Sequence, residues 1–455
     1  MSKTYSERFC KISNQILDLE NIQSLMILPQ DRNEENDISK NVRFDFSSLE
    51  NIISKTFPNF KFPYSSKEFL ELFLVIYFAD IYNNYAPGFE GESITSKLWS
   101  REFDFHLIFT NYERMSRLGT PLKEMCEFVT NELFSFIFYQ KSDDSISDEI
   151  NCVNSNAEQI ILVSGGLDSL SAVINYSNER TILLSIQTGS NSSELKEVSK
   201  FLQIHTKFLM HLFCTVKIKS KKSNIPEYLK LNNYPKSPNL MTRSLLYLAY
   251  ASIIAINLNV RRIIIADNGI ISYNFNLSPS RQHTKTTHPI TLKYFTMIVQ
   301  NYFGKQLDII NPFQYMLKSE ELKLIQRVDP SVISSTRSCF NPHKKNHCSN
   351  CYGCIIRRIA IISENLMTYD GDYDYNPFQP QKRDMKKAGF KILIDLILFA
   401  KKIQEISLDE FILEYPTIVN DNTDLKKCFS LFKRFAIQTE EVIRTHGNTQ
   451  LKGML

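Results

Sequence analysis

The run Ser164-Gly165-Gly166-Leu167-Asp168-Ser169 stands directly after an apolar stretch in a chain with only 13 glycines among 455 residues. Adjacent glycines let a backbone take dihedrals closed to other residues and bring its N–H groups close to a ligand. A helix predicted to start near Asp168 adds a positive dipole end with unpaired donors. Together they make an anion cradle, with hydroxyls at Ser164 and Ser169 and a carboxylate at Asp168. No Gly-x-x-x-x-Gly-Lys occurs, so this is not the usual mononucleotide P-loop. The competing reading is a plain strand–turn–helix corner capped by Asp168 or Ser169.

A second constellation lies further on. Of nine cysteines, Cys339, Cys348, Cys351 and Cys354 crowd into 16 residues as C-x8-C-x2-C-x2-C. Four thiolates within one loop suit a closed, tetrahedral, structural zinc site. Zinc bound this way contributes about 10–16 kcal/mol to ordering a loop with little core of its own. An iron–sulfur cluster is the competitor, because C-x2-C-x2-C also suits ferredoxin-type ligation. His343 and His347 read as exposed loop residues, since four cysteines already close the shell. Arg357 and Arg358 follow at once; they either cover a helix surface or face an anion.

These residues need a scaffold. Short apolar strands, "QIILVS", "RTILLSIQ", "LFCTVKI" and "RRIIIAD", alternate with helical stretches. One such helix, "NSSELKEVSKFLQ", sets Leu195, Val198 and Leu202 on one face, with Asn191 and Glu194 placed to cap its start. Another spans about 240–258. The pattern predicts an α/β class: a doubly wound parallel sheet covered on both faces, with ligands outside the carboxyl ends of its strands. Residues 1–140 read as an α+β accessory domain. There "PYSSKEFLELFLVIYFADIY" and "PLKEMCEFVTNELFSFIF" have helical spacing, and "REFDFHLIF" alternates as a half-buried strand. The polar stretch 141–159 reads as a linker, 160–365 as the nucleotide domain with its cysteine loop, and 366–455 as a helical extension. In that extension Ser407 and Glu410 form a capping box. These last helices either pack on the main domain or make a homo-oligomer contact.

Composition narrows the class. There are 53 basic and 49 acidic residues, a net charge of +4, which leaves room for an anionic ligand and requires no nucleic acid. The start "MSKTYSERFCKISNQ" has no apolar core and is not a secretory signal. Nine cysteines without such a signal point to a reducing, cytoplasmic setting. The stretch "SLLYLAYASIIAINLNV" is broken by Ser252 and Asn257 and reads as a buried helix, not a membrane span.

The glycine string resembles the pyrophosphate loop of the N-type ATP pyrophosphatases. The two motifs together, in this order, resemble the 7-cyano-7-deazaguanine synthase (QueC-like) family. Ser338-Cys339 through Cys354, followed by Arg357, looks like that family's zinc segment. Arg243-Ser244-Leu245-Leu246-Tyr247-Leu248-Ala249 is similar to its arginine-led helix near ATP. Asn311-Pro312-Phe313 with Lys318 and Glu320 is similar to its proline–lysine segment. The likeness covers roughly residues 158–365.

The resemblance implies an ATP-dependent ligase that adenylates a carboxylate, of a 7-deazaguanine type, and releases pyrophosphate and then AMP. Ammonia then gives an amide, and a second activation a nitrile. It implies ATP, Mg2+ and Zn2+ as cofactors. It assigns catalysis to Asp168, Arg243 and Lys318, with Asp168 helping to hold Mg2+. ATP contacts fall to Ser164, Gly165, Gly166, Leu167, Asp168, Ser169, Gln187 and Asn268, and zinc to Cys339, Cys348, Cys351 and Cys354. Two departures loosen the substrate. The fourth strand ends in Ala266-Asp267-Asn268-Gly269 without the family's usual aspartates, and its glycine–glutamine pair is replaced by Thr188-Gly189-Ser190. The loop "SRQHTKTTHP" carries Arg281, His283, Lys285 and His288, and reads equally as a phosphate or acceptor-binding loop and as a solvated polar loop. A Thr-Thr-His-Pro run and an extra amino-terminal domain are similar to QueC-like proteins of bacterial antiviral gene clusters. That likeness implies another acceptor, such as a partner protein. Two other classes stay open: a tRNA-thiolating enzyme, with Cys152 and Cys214 spare but no Cys-x-x-Cys pair between them, and a nucleotide-binding scaffold without catalysis.

Overall fold

The computed structural model describes residues 9–17, 22–29, 39–42, 46–58, 60–82, 102–141, 153–187, 192–216, 241–275, 285–340 and 346–455. Asn191, Thr188-Gly189-Ser190, Arg281, His283, His343, Cys152 and most of the 141–159 stretch fall outside them. Two compact units emerge. One gathers Met1–Asn156, Cys214–Arg261 and Lys293–Asp308; the other gathers Ala157–Phe213, Arg262–Leu292 and Ile309–Leu455.

The first unit holds a five-stranded sheet in the order β3-β2-β1-β4-β5, formed by β1 (Phe9–Leu17), β2 (Ile22–Pro29), β3 (Ser39–Val42), β4 (Glu102–Phe109) and β5 (Leu133–Gln140). β1 pairs antiparallel with β2 and parallel with β4, and β4 pairs parallel with β5. The alternation read in "REFDFHLIF" holds: Phe103, Phe105, Leu107 and Phe109 are each at most 1% exposed. The single helix expected over "PLKEMCEFVTNELFSFIF" is instead the helix Gly119–Thr130 followed by β5. Asn131 takes a left-handed conformation (φ 57°) and ends the helix, a position Asn tolerates better than most residues. Beyond it Phe134, Phe136 and Phe138 alternate with exposed residues, which is strand spacing. The helix Tyr64–Tyr82 is buried on every face from Phe69 to Tyr77. It packs against the helix Arg243–Asn257, where the broken apolar stretch is a buried helix as expected. There Asn257 donates its amide to Ser66 Oγ at 2.8 Å and to Ile253 O.

The second unit holds the sheet expected from the strand–helix alternation. Its order is β10-β9-β6-β7-β8, from β6 (Gln159–Leu162), β7 (Thr181–Gln187), β8 (Met210–Thr215), β9 (Arg262–Ile264) and β10 (Asp308–Ile310). Central β6 pairs parallel with both β7 and β9. The chain runs outward from β6 to β8 on one side, then returns to β9 and β10 on the other. Strand order therefore reverses between β6 and β9, which makes the crevice at their carboxyl ends the switch point where such sheets bind ligands. Ile161, Val163, Leu183 and Ile264 form one core with Leu170, Leu195 and Leu322 from the helices Leu167–Tyr176, Ser192–His205 and Lys318–Gln326. A second core joins the helix Tyr352–Ser363 to Ala388–Glu405 and Leu425–His446. The carboxy-terminal helices thus pack within this unit, and the Ser407–Glu410 capping box forms.

Candidate functional site

The turn after β6 is built as its sequence requires. Gly165 sits at φ +83°, where a Cβ would also meet the Leu195 backbone at 3.3 Å; at Gly166 a Cβ would come 3.2 Å from the Arg337 carbonyl. The two serines brace the turn from inside. Ser169 Oγ donates to Gly166 O and accepts from the Ser164 amide at 3.2 Å, and the two hydroxyls lie 3.1 Å apart. Ser164 Oγ accepts from the Gly166 amide. The helix begins at Leu167, so its first amides lack intrahelical acceptors and remain for a ligand.

Asp168, in the first turn of that helix, is the hub of the crevice. Lys318 Nζ donates to Asp168 Oδ2 at 2.5 Å, while Asn268 donates from its backbone amide (3.1 Å) and its side chain (2.9 Å) to Oδ1. Three sequence-predicted residues, on three different elements, therefore meet at one carboxylate. Burial raises the Asp168 carboxyl, but the Lys318 charge and the hydrogen bonds from Glu321, Lys318 and Asn268 outweigh it and hold it below the usual range.

Two further carboxyls crowd the hub. Asp267 accepts from Thr287 Oγ1 at 2.9 Å, and its amide donates to Asn311 Oδ1. Burial first, then the Asp168 charge, pushes the Asp267 carboxyl up to about 7. No hydroxyl, amide or ammonium donor reaches either oxygen of the buried Glu321 carboxyl. Burial, followed by the Asp168 charge, pushes the Glu321 carboxyl well above the ordinary carboxylate range. Sequence reasoning named Glu320, which instead accepts from the Leu317 amide and pairs with Arg434 of the carboxy-terminal helix. Glu321 was missed; its place one turn along the helix from Lys318 was the available signal.

The Thr-Thr-His-Pro run is not a solvated loop. Thr286, Thr287 and His288 are all buried, the Thr287 carbonyl accepts from Ser272 Oγ, and His288 meets Tyr273 edge to face. Burial, then the Lys285 charge, lowers the His288 imidazole to about 3. Thr287 is a site residue the motif reading did not single out. Gln187 ends β7, partly exposed. Arg243 opens a helix of the first unit.

The four cysteines come together as their spacing predicts. Their sulfurs all lie within 4.8 Å of one another. A tetrahedral zinc with Zn–S near 2.3 Å sets its ligands about 3.8 Å apart, so the set fits one ion. An iron–sulfur cluster shares its four thiolates among two or four irons and spreads the sulfurs more widely. Hydrogen bonds from its three neighbours hold the Cys339 thiol below the ordinary range, and those with Cys339 and Cys348 push Cys351 above it. A doubly charged ion takes the place of such shared protons. The Phe340 and Asn350 amides donate to Cys351 and Cys348 sulfurs. His347, expected to be exposed, is buried against Tyr373, with Nδ1 4.0 Å from Cys354 Sγ. Among the described residues no second cluster of three or more such ligands occurs, so Mg2+ at Asp168 would need phosphate oxygens to complete its shell and would have to share the carboxylate with Lys318.

Arg357 turns inward to the Asp370 carboxylate. It is fully buried, bonded to Asp370 at 2.8 Å, to the Ile333 carbonyl and to Thr336 Oγ1. Arg358 pairs with Asp370 as well and lies over the Tyr373 ring. Through Arg357 the helix after the cysteines holds residues 333–338. Arg337 within that segment donates its amide to Gly165 O and its guanidinium to Glu194 at 3.0 Å.

Residues 158–364 match the family model for QueC, the queuosine biosynthesis protein. No curated protein matches the chain. The matched segment takes in β6 and its glycine turn, Asp168, Asn268, Lys318 and all four cysteines. The amino-terminal sheet and the carboxy-terminal helices lie outside it. The QueC-like segment thus contains both constellations that sequence spacing had picked out, together with Asp267, Thr287, Glu321 and Arg337. In addition, no helix of the described residues is long and apolar enough to cross a membrane.

Proposed function

We propose that the chain is an ATP-dependent synthase that adenylates the carboxylate of a 7-deazaguanine-type base. The observation that carries this is the meeting of Asp168, Lys318 and Asn268 at the mouth of a glycine turn, within the segment that matches QueC. In this reading the turn and the first amides of its helix hold the β- and γ-phosphates of ATP. A substrate carboxylate oxygen attacks the α-phosphorus; a new P–O bond forms and the bond to pyrophosphate breaks. Negative charge moves onto the leaving pyrophosphate, where fixed N–H groups and the Lys318 ammonium lower the barrier. Each such contact is worth about 3–4 kcal/mol in the transition state.

Asp168 holds Lys318 in place. Asp267, near neutrality in its protonation, takes a proton from the incoming amine as that amine displaces AMP. Cys339, Cys348, Cys351 and Cys354 would hold Zn2+, which would order the loop that begins two residues after Arg337. Gln187, at the end of β7, contributes to the nucleotide site when ATP is bound. The product is an amide or nitrile, or, in a defence setting, a conjugate to a partner protein. Incubation with ATP, Mg2+ and 7-carboxy-7-deazaguanine, followed by mass spectrometry, tests this. AMP with an amide or nitrile supports it; ATP bound but never cleaved leaves a scaffold, and thiolated tRNA would mark the other reading.

A further inference from the structure

A second constellation lies in the amino-terminal sheet, outside the QueC-like segment. On β4, Asp104 and His106 are two residues apart and so share the face opposite to the buried Phe103 and Phe105. In the parallel register with β5, His106 stands opposite Ile137 and Ile108 opposite Tyr139. Tyr139 is therefore the diagonal neighbour of His106 on that same face. The side chains close into a line: Asp104 Oδ2 is 2.9 Å from His106 Nε2, and His106 Nδ1 is 2.9 Å from the Tyr139 hydroxyl. The two rings stack at 5.9 Å.

A carboxylate only accepts, so in the neutral imidazole Nε2 carries the proton and Nδ1 offers its lone pair to the phenol. That is the order of orienting acid, general base and nucleophile. Among the described residues Asp104 Oδ1 is buried without a hydrogen-bond partner, and His106 is the carboxylate's partner there. A buried carboxylate oxygen left unsatisfied is costly in a purely structural pair. Tyr139 is 45% exposed, so an incoming group can reach its oxygen. Along β5 it follows Leu133 and Ile137, exposed by 51% and 42%, an apolar surface suited to an uncharged electrophile.

We propose that Asp104, His106 and Tyr139 form an acyl-accepting site, with Tyr139 as nucleophile toward an activated acyl group such as a thioester or a mixed anhydride. The phenol oxygen bonds to the acyl carbon while its proton passes to His106 Nδ1. The bond to the leaving group then breaks, and the imidazolium returns the proton to it, leaving an O-acyl tyrosine. No oxidant or metal is needed, and the site stands or falls independently of the nucleotide chemistry.

The test uses the full chain and N-acetylimidazole as acyl donor, with peptide mass spectrometry to follow each tyrosine. Tyr369, 40% exposed, is the internal control. General-base assistance is worth about 10²–10⁴-fold, so Tyr139 should acetylate at least about tenfold faster than Tyr369. His106→Gln should bring it to the Tyr369 rate, with Asp104→Asn in between and Tyr369 itself unchanged. Equal rates at Tyr139 and Tyr369 in the unaltered chain, or a Tyr139 rate indifferent to His106→Gln, would overturn the proposal.

Discussion

The backbone amide of Arg337 donates to the carbonyl of Gly165 over 3.2 Å, two residues before the first of the four clustered cysteines. The carbonyl of Arg337 also closes off the space beside Gly166. One segment therefore forms a wall of the glycine turn and the entry to the cysteine loop, and Arg357 ties that segment to Asp370 behind it. Metal removal should thus reach the turn. Chelation is expected to weaken ATP binding by tenfold or more, read by calorimetry, with metal content measured in parallel. Unchanged affinity in verified metal-free, folded protein would show that the two constellations are uncoupled.

Arg357→Met probes the same truss without touching a sulfur. It leaves the Asp370 carboxylate buried with Arg358 as its remaining ion-pair partner. Breaking a buried pair from one side costs about 3–5 kcal/mol, so thermal unfolding should shift down by many degrees while the zinc stoichiometry of soluble protein stays at one. A variant as stable as the parent would remove the truss from the account.

Gly165→Ala separates conformational strain from contact. A residue with a Cβ in the left-handed region costs about 1–2 kcal/mol, and here the Leu195 backbone is already 3.3 Å from where that Cβ would lie. We expect modest loss of stability and a far larger loss of ATP affinity, because the turn must shift to admit the methyl. Equal losses in both measurements would mean that the turn does not hold nucleotide.

Asp168→Ala is not the clean probe its place in the motif suggests. Removing the carboxylate strands Lys318, whose side chain is only 3% exposed, and frees the Asn268 amides. Asp168→Asn keeps an acceptor there and is the better variant. It should fold, bind ATP weakly and release pyrophosphate at least about 10²-fold more slowly. Turnover equal to the parent's would refute the role given to this residue.

Asp267 makes stability depend on pH in the unusual direction. Its folded carboxyl titrates at about 7, against about 3.9 in an unfolded chain. Between those values the folded protein keeps a proton that the unfolded chain has lost, so this group's contribution falls as pH rises from about 4 to 7 and is level above. Asp168, held low by Lys318, works oppositely: its contribution is present above its unfolded pKa and is lost as pH falls through its folded one. Asp267→Asn should flatten the decline between about pH 4 and 7 in denaturant titrations. The same slope in the variant would place the proton elsewhere.

Much of this was legible because local rules and fold agreed. The β6 turn was readable from two glycines in a glycine-poor chain, and the cysteine cluster from spacing alone. The parallel sheet followed from apolar strands alternating with helices. What escaped did so for physical reasons. Glu321 and Thr287 look like surface residues in the chain and acquire their meaning only when three elements converge on Asp168. The segment 121–138 was read as one helix because a left-handed Asn131 carries little sequence signal, although Phe134, Phe136 and Phe138 alternate behind it. The amino-terminal strands β1 and β2 were passed over because polar residues interrupt their alternation. His106 and Tyr139 lie 33 positions apart, and only strand register makes them neighbours.

The central claim concerns where the nucleotide is attacked, and oxygen-18 in the substrate carboxylate reports that directly. With labelled 7-carboxy-7-deazaguanine, ATP and Mg2+, attack at the α-phosphorus must move one labelled oxygen into AMP and leave the pyrophosphate unlabelled. That is the result this account predicts. ADP with the label in inorganic phosphate, or ATP recovered intact and unlabelled, would contradict it.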